Sequence, residues 1–566
     1  MCIVMKRSEI INHYQNNPEV SALIIGAGIN GIGTFRDLAL QGVDVLMVDK
    51  GDFCSGASAA SSHMVHGGIR YLENGEFRLV REAVQERNRL IESAPHYVKP
   101  LPTVIPIFKW FSGLLNAPLK FLGLLDKPSE RGAVVIKTGL MLYDAFTRNQ
   151  GTVPKHRFKP RAATLDEFPE INPKVLFTAH YYDGSMHTPE RICAELLLDG
   201  EAANPEARAL NYASVDQSSG SLVTLVDQVT GESFNVKPRV IVNAAGPWID
   251  FVNAKLGMPT NFIGGTKGSH LIIDNPDLLA AIGENEFFFE NDDGRIVLIF
   301  PLKNKVLIGT SDLPIENPDD ARCTEDEIDY FIQMVRIVFP KIAVKREQIV
   351  FQFSGVRPLP ASDSDRPGQI SRDHSIEEIN PGSGSVPPIY SLVGGKWTSF
   401  RAFSEEVTDK TLNVLNITRK TNTRGLGIGG GRGYPKNQAA QEAWIEQLSQ
   451  VTNLPSKRVA ELFQRYGTRA EQFSAFIAKE PDTPLHFLPG YSRREIEFIA
   501  KEEKVVHLDD LLLRRSMIAK LGQLTYANID ELSKIIYVAL NWSPDRMDTE
   551  VRRVFAILRD QHGINF

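Results

Sequence analysis

Six residues near the start of the chain carry the first chemical signal: Gly26-Ala27-Gly28-Ile29-Asn30-Gly31. They follow an apolar run at 20–25 and open a helix-forming stretch. Gly26 permits a tight turn, Gly28 lets a diphosphate approach bare backbone, and Gly31 lets the helix lie close to the strand. The N–H groups at the helix start then face phosphate oxygens. A second apolar run, 43–48, ends in Asp49, where a carboxylate suits a ribose hydroxyl. Strand, turn, helix and acid fall where a βαβ unit needs them, which predicts a dinucleotide site.

Bulk properties bound the rest. The 566 residues exceed one hydrophobic core, so two or three domains are expected. Hydrophobic content of 42% and charged content of 23% are those of a globular protein. A net charge of −6 argues against nucleic acid as a partner. Cys2, Cys54, Cys193 and Cys323 form no CxxC pair, so neither a disulfide framework nor a zinc site is expected, and a reducing cytoplasm is the natural setting. The first residues lack the apolar core of a signal peptide. No run reaches the roughly 18 apolar residues of a membrane-spanning helix.

Periodicity organises the remainder. Residues 1–19 read as a polar leader, and 52–62 (DFCSGASAASS) as a loop that lies against a ligand. Residues 77–93 have apolar positions at helical spacing, a long surface helix. The most apolar stretch, 108–125, is broken by Gly113, Pro118 and Gly123. It suits either short amphipathic segments dipping into a membrane surface or a substrate-domain or homo-oligomer surface. Residues 207–236 read as a β-meander and 287–310 as hairpin strands. The Gly-rich stretch within 413–436 reads as a linker, and five helical segments follow: 438–451, 456–466, 493–503, 508–520 and 529–540.

In this order the pieces resemble the FAD-dependent glycerol-3-phosphate dehydrogenases, within the D-amino-acid-oxidase-like flavoproteins. The matching stretches are GAGINGIG at 26–33, SSHMVHGGIRYLENGEFRLVREA at 61–83, VNAAGPW at 242–248 and KGSH at 267–270. DGRIVLIFP at 293–301, IGTSD at 308–312, SGVRPL at 354–359, ISRD at 370–373 and GGKWTSFR at 394–401 continue the series. LDDLLLRRSMIAKL at 508–521 is similar in kind.

The resemblance implies an α/β plus α fold. A Rossmann-like FAD-binding domain (20–100, 160–250 and 345–412) would be interleaved with an antiparallel-sheet substrate domain (101–159 and 251–344). A C-terminal all-α cap domain would occupy 437–566. It implies oxidation of sn-glycerol 3-phosphate to dihydroxyacetone phosphate, with electrons passed to quinone at the cytoplasmic membrane face. A soluble oxidase using oxygen, a dehydrogenase of another polyol phosphate such as a tetritol phosphate, and an amino-acid oxidase are the alternatives.

The same resemblance assigns residues. Gly26, Gly28 and Gly31 would hold the pyrophosphate and Asp49 the ribose. Ser61, Ser62 and Met64 would reach the flavin ring, Ala213 the adenine, and Ala245 and Gly246 would approach the cofactor. Arg70, Tyr71, Arg357, Arg372, Lys396 and Thr398 would contact substrate, since guanidinium forks match phosphate oxygens. His270 is the expected proton acceptor, because an imidazole titrates near neutrality. Arg357 is its competitor as a stabiliser of the developing alkoxide. No metal is expected. The chain departs from the pattern in three places. His63 stands where a lysine is usual, Met186-His187-Thr188-Pro189-Glu190-Arg191 replaces an Asp-Asp-Ala-Arg pattern, and 108–131 is longer and more apolar.

Overall fold

The computed structural model describes residues 5–68, 77–109, 136–137, 139–141, 144, 154–291, 295–361, 374–380 and 386–566. Two large sheets organise them. The first is built around β1 (Glu19–Ile25), flanked in parallel by β2 (Val45–Val48) and by β10 (Ser233–Asn243). β7 (Ala207–Leu210) extends it in parallel beyond β2, and β18 (Ile389–Val393) beyond β10. β17 (Ser375–Ile379) closes the edge antiparallel, while β8 (Ala213–Ser219) and β9 (Leu222–Asp227) form a meander onto β10. All four residues of β2 are buried, as expected of a parallel strand covered on both faces. The helix Ile29–Leu40 returns the chain from β1 to β2, completing the expected βαβ unit.

The second sheet runs β15 (Leu313–Pro314), β11 (Thr266–Ile273), β14 (Lys305–Gly309), β13 (Ile296–Leu302), β12 (Glu286–Glu290), β4 (Val98–Ile107), β6 (Phe177–Met186) and β3 (Met64–Val65). β16 (Ile349–Arg357) pairs with β11, and β5 (Arg157–Pro160) with β6. Its pairings are antiparallel except β12 with β4. Side chains alternate between its faces. Leu271, Ile273, Val297 and Ile299 join one core with Phe331 and Val335 of the helix Glu325–Val338. Ile272, Leu298 and Phe300 join another with Phe473, Ile499 and Leu532 of the C-terminal helices.

Four expectations need correction. Residues 1–19 are not simply a polar leader: Arg7–Asn16 is a helix whose Ile10, Ile11 and Tyr14 are buried beside Leu23 and Val236, and Arg7 pairs with Asp227. Its apolar residues are too few to stand out beside so many polar neighbours. β3, β6 and β16, expected in the cofactor domain, belong to the second sheet, because strand pairing follows long-range register rather than chain order. The glycine-rich linker is packed. Gly429, Gly430 and Gly431 are buried, and a Cβ on Gly430 would lie 1.9 Å from the Tyr466 carbonyl oxygen. The segment 508–520 is not one α-helix. A helical turn, Leu508–Asp510, passes into a π-turn, Leu511–Arg515, and helicity stops at Ser516, whose hydroxyl donates to the Leu511 carbonyl at 2.8 Å. Two further helices, Ala470–Ile477 and Pro544–His562, complete the C-terminal region. Among the described residues no helix is long and apolar enough to cross a membrane. The stretch 110–125 lies outside the described residues.

Candidate active site

The cofactor cradle is assembled where β1 meets the helix Ile29–Leu40. Gly26 has φ +104°, and its N–H donates to the Val48 carbonyl at 2.8 Å. A Cβ there would sit 2.6 Å from the Ala244 carbonyl carbon, so the turns after β1 and β10 touch. A Cβ on Gly31 would lie 2.0 Å from the Gly26 carbonyl oxygen, the close helix–strand approach that its spacing predicts. Gly28 caps the helix, and Ile29 N–H donates to Ser58 Oγ at 2.9 Å. Ala244 N–H donates to the Ile25 carbonyl at 2.8 Å, and Gly246 (φ +57°) leaves open space where a Cβ would stand.

Asp49 is half-buried just after β2 and accepts from Ala27 N–H at 2.6 Å and Gly51 N–H at 2.8 Å. Burial pushes its carboxyl up to about 6, against the pull of those donors. Ala213 N–H donates to the Asp49 carbonyl at 2.7 Å, which brings β8 beside the acid. The Asn30 side-chain oxygen is buried at the same helix start without a hydrogen-bond partner among the described residues. The glycine turn at the start of the helix, a carboxylate just after β2 and an orphaned amide oxygen fit an extended dinucleotide such as FAD.

The loop after Asp49 is held from several directions. Cys54 N–H donates to the Ala27 carbonyl at 2.9 Å, and Trp397 Nε1–H donates to the Ser58 carbonyl at 2.9 Å. The latter bond ties the 394–401 motif to the cradle. Gly395 also packs there, since a Cβ on it would lie 2.5 Å from Asn30 Nδ2. Asp52 accepts from Arg514 Nε at 2.6 Å and from Arg515 at 2.9 and 3.0 Å. Burial opposes ionisation of Asp52, but the two guanidinium groups hold it down to about 2. The π-turn lets both consecutive arginines reach one carboxylate. This is the physical gain from breaking the helix there.

On the other side of the loop, Ser62 Oγ lies 2.9 Å from Nε2 of His270 on β11. The imidazole stacks on Phe353 of β16 (centroids 4.8 Å apart, 10° between planes), and Gly309 of β14 leaves the room it occupies. Burial pushes His270 down to about 3, reinforced by the charges of Arg357 and Lys520, so the imidazole is neutral but a weaker base than the near-neutral titration expected of it from sequence. Arg357, at the end of β16, donates through Nη1 to Asp312 at 3.0 Å and through Nη2 to Thr310 Oγ1 at 3.0 Å and the Ser311 carbonyl at 3.1 Å. Gly268 makes space for that guanidinium: a Cβ would stand 2.3 Å from Nη2. The antiparallel register sets Thr266 opposite Arg357 and His270 opposite Phe353. A neutral imidazole and an oriented cation therefore share adjacent strands.

Of the remaining candidates, Ser61 Oγ accepts from His63 N–H at 3.3 Å, and Met64 is buried at the start of β3 opposite Ser185. Ala245 N–H donates to the Asn243 side chain at 3.2 Å. Lys396 follows β18 beside the buried Trp397. Thr398 is buried and lines a small cavity with Arg36, Glu86 and Arg401. Arg70, Tyr71 and Arg372 lie outside the described residues. Among those residues no cluster has the make-up of a metal site. Sequence reasoning missed Ser58, Asp52, Asp312 and Lys520. Each acts through a partner that local patterning does not reveal, up to 463 positions away for Asp52 and Arg515.

Comparison with known proteins agrees with the fold and with FAD as the cofactor. Residues 21–396 match the FAD dependent oxidoreductase family, and residues 421–547 match the C-terminal domain of alpha-glycerophosphate oxidase. The chain is 31% identical to glycerol-3-phosphate dehydrogenase of Synechocystis sp., over 95% of this chain and 97% of that one. It is 28% identical to aerobic glycerol-3-phosphate dehydrogenase of Staphylococcus aureus, over 100% of this chain and 99% of that one. The fold matches the crystal structure of glycerol-3-phosphate dehydrogenase from Bacillus halodurans complexed with FAD, with TM-score 0.75, 20% identity, and coverage of 99% and 98% of the two chains. The chain is an FAD-dependent oxidoreductase and belongs to the glycerol-3-phosphate dehydrogenase family.

Proposed function

We propose that the chain oxidises sn-glycerol 3-phosphate to dihydroxyacetone phosphate and passes the electrons to a membrane quinone. The observation that carries this reading is geometric: the His270 imidazole, bonded to Ser62 of the cofactor loop, lies on the strand next to the one that carries Arg357, a cation oriented by Asp312 and Thr310. When bound, FAD supplies the hydride acceptor. The chain supplies the rest. The substrate hydroxyl docks beside Ser62 and loses its proton to the His270 imidazole. Arg357 faces the phosphate or the developing alkoxide and is kept in place by its own hydrogen bonds. Lys396, Arg70, Tyr71 and Arg372 complete the phosphate grip, as the resemblance implies. An acceptor site for an amino-acid carboxylate gains little from so many cations, so a polyol phosphate is the better substrate class.

The quinone assignment is supported by the apolar sequence at 108–125 and by the dehydrogenase names of the relatives. The test is anaerobic bleaching of the bound flavin against a panel of polyol and sugar phosphates. Turnover is then assayed with a quinone and with oxygen. Bleaching by glycerol 3-phosphate and quinone reduction without peroxide support the reading. Bleaching only by a tetritol phosphate or an amino acid overturns the substrate, and rapid stoichiometric peroxide overturns the acceptor.

A further inference from the structure

Lys520 lies in the C-terminal helical region, yet its ammonium is buried against the loop that carries Ser62. Its side chain is 6% exposed, pairs closely with Glu190 of the helix Pro189–Ala203, and sits with Nζ 3.2 Å from His63 Nε2. His63 is fully buried, with φ +54°. An ammonium has only protons to offer, so Nε2 must accept and the ring is neutral with its proton on Nδ1. His63 is also anchored through its backbone: Met186 N–H donates to its carbonyl at 2.7 Å, and its own N–H donates to Ser61 Oγ at 3.3 Å. The residue between Ser61 and His63 is Ser62, the partner of His270.

We propose that Lys520 is a positioning residue for the oxidation: paired with Glu190, it locks His63 and thereby fixes where the Ser62 hydroxyl meets His270. The site is thus incomplete without the C-terminal region. That region grips the cofactor loop at both ends, through Arg514 and Arg515 on Asp52 and through Lys520 on His63.

The charges around this point are of one design. His63 faces Lys520, His270 and His187, and burial together with the ammonium keeps it well below its usual range. His270 faces Arg357 and Lys520, opposed by Glu327. His562, on the last helix, is also held down to about 4 by burial, with Lys520 and Arg514 adding to the effect. Glu190 is the direct counter-ion of Lys520. A free amine in a buried site without that carboxylate would be costly.

The inference rests on the reading of His270 as proton acceptor, so the experiment separates the two. Holoenzyme variants Lys520→Met, Lys520→Arg and His270→Asn are compared for flavin content, melting temperature, and kcat per bound flavin and KM with glycerol 3-phosphate. Lys520→Met/Glu190→Gln, which leaves neither charge unpaired, replaces Lys520→Met if that variant does not fold. The expected result is a fall in kcat per bound flavin of roughly tenfold or more for Lys520→Met, with KM within about twofold, and substantial recovery in Lys520→Arg. Unchanged kcat per bound flavin, whatever the melting temperature does, makes Lys520 a stability residue and overturns the proposal. Full turnover in His270→Asn overturns the proton-acceptor reading instead.

Discussion

Ser62 Oγ and His270 Nε2 are 2.9 Å apart, although one belongs to the cofactor loop and the other to the second sheet. The contact joins the two halves of the candidate site. The other ring nitrogen of His270, Nδ1, is buried with no hydrogen-bond partner among the described residues. The imidazole is therefore held by one hydrogen bond, by Phe353 beneath it and by the absence of a side chain at Gly309.

Replacing His270 by Asn should slow substrate-driven flavin reduction by roughly 10²–10⁴-fold, the usual range for loss of a proton acceptor. Flavin content should not change. Anaerobic stopped-flow absorbance checks this, and an unchanged reduction rate removes His270 from the chemistry. Ser62→Ala should be milder, because the imidazole remains.

Arg357→Ala should raise KM and lower kcat while the protein stays yellow. The loss in kcat/KM should be roughly 10²-fold or greater, as expected for an oriented charge-assisted contact. Arg357→Lys should not restore it. An ammonium is a point charge and cannot serve Asp312, Thr310 and a substrate oxygen in one plane. Loss of flavin from Arg357→Ala would make the residue a structural one.

The two later glycines of the cradle should differ in tolerance. A Cβ on Gly31 would overlap the Gly26 carbonyl oxygen at 2.0 Å, so Gly31→Ala should give apoprotein or fail to fold. A Cβ on Gly28 would meet Ser58 Oγ at 3.2 Å, a contact that a small shift relieves. Gly28→Ala should fold and bind FAD more weakly. Flavin fluorescence titration ranks them, and equal FAD affinity in both would refute the packing argument.

Asp52→Asn should destabilise the protein by about 3–5 kcal/mol, because Arg515 would remain buried without a carboxylate and Arg514 would keep only Asp509 and Asp510. The melting temperature and flavin retention should fall together. A drop in neither would mean that the C-terminal helices do not support the cofactor loop.

Acid should weaken the fold from about pH 6.5 downward, through the buried histidines. Burial holds His270 down to about 3 and His187, His180 and His562 each down to about 4, all below the usual 6.5. Each binds fewer protons folded than unfolded. The stability they contribute is full above pH about 6.5 and is lost as pH falls toward the folded values. Glu286 works in the opposite sense. Burial and the neighbouring Asp183 push it up to about 8, so its contribution is lost as pH rises from about 4.5 through 8. Melting temperature measured from pH 4 to 9 should fall on the acid side below 6.5. Glu286→Gln should flatten the decline between about pH 6.5 and 8 and steepen the acid side between about 4.5 and 6.5. An alkaline slope unchanged in that variant would place its cause elsewhere.

Much of this protein was legible in one dimension. The glycine spacing at 26–31, the acid at 49 and the apolar run of β2 are local features, and backbone sterics and periodicity dictate what such features build. The C-terminal helices at 456–466 and 493–502 were legible for the same reason: strong apolar periodicity marks them. What the tertiary structure alone decided is everything that depends on register and long-range pairing. It placed β6 and β16 in the second sheet, buried the glycine-rich stretch at 429–431, and broke the segment at 508–520. It brought Asp52 to Arg515 and His63 to Lys520, pairs separated by 463 and 457 positions. No local pattern encodes such contacts. They arise because a buried charged or polar group must find a partner, and only the packed chain determines which one is within reach.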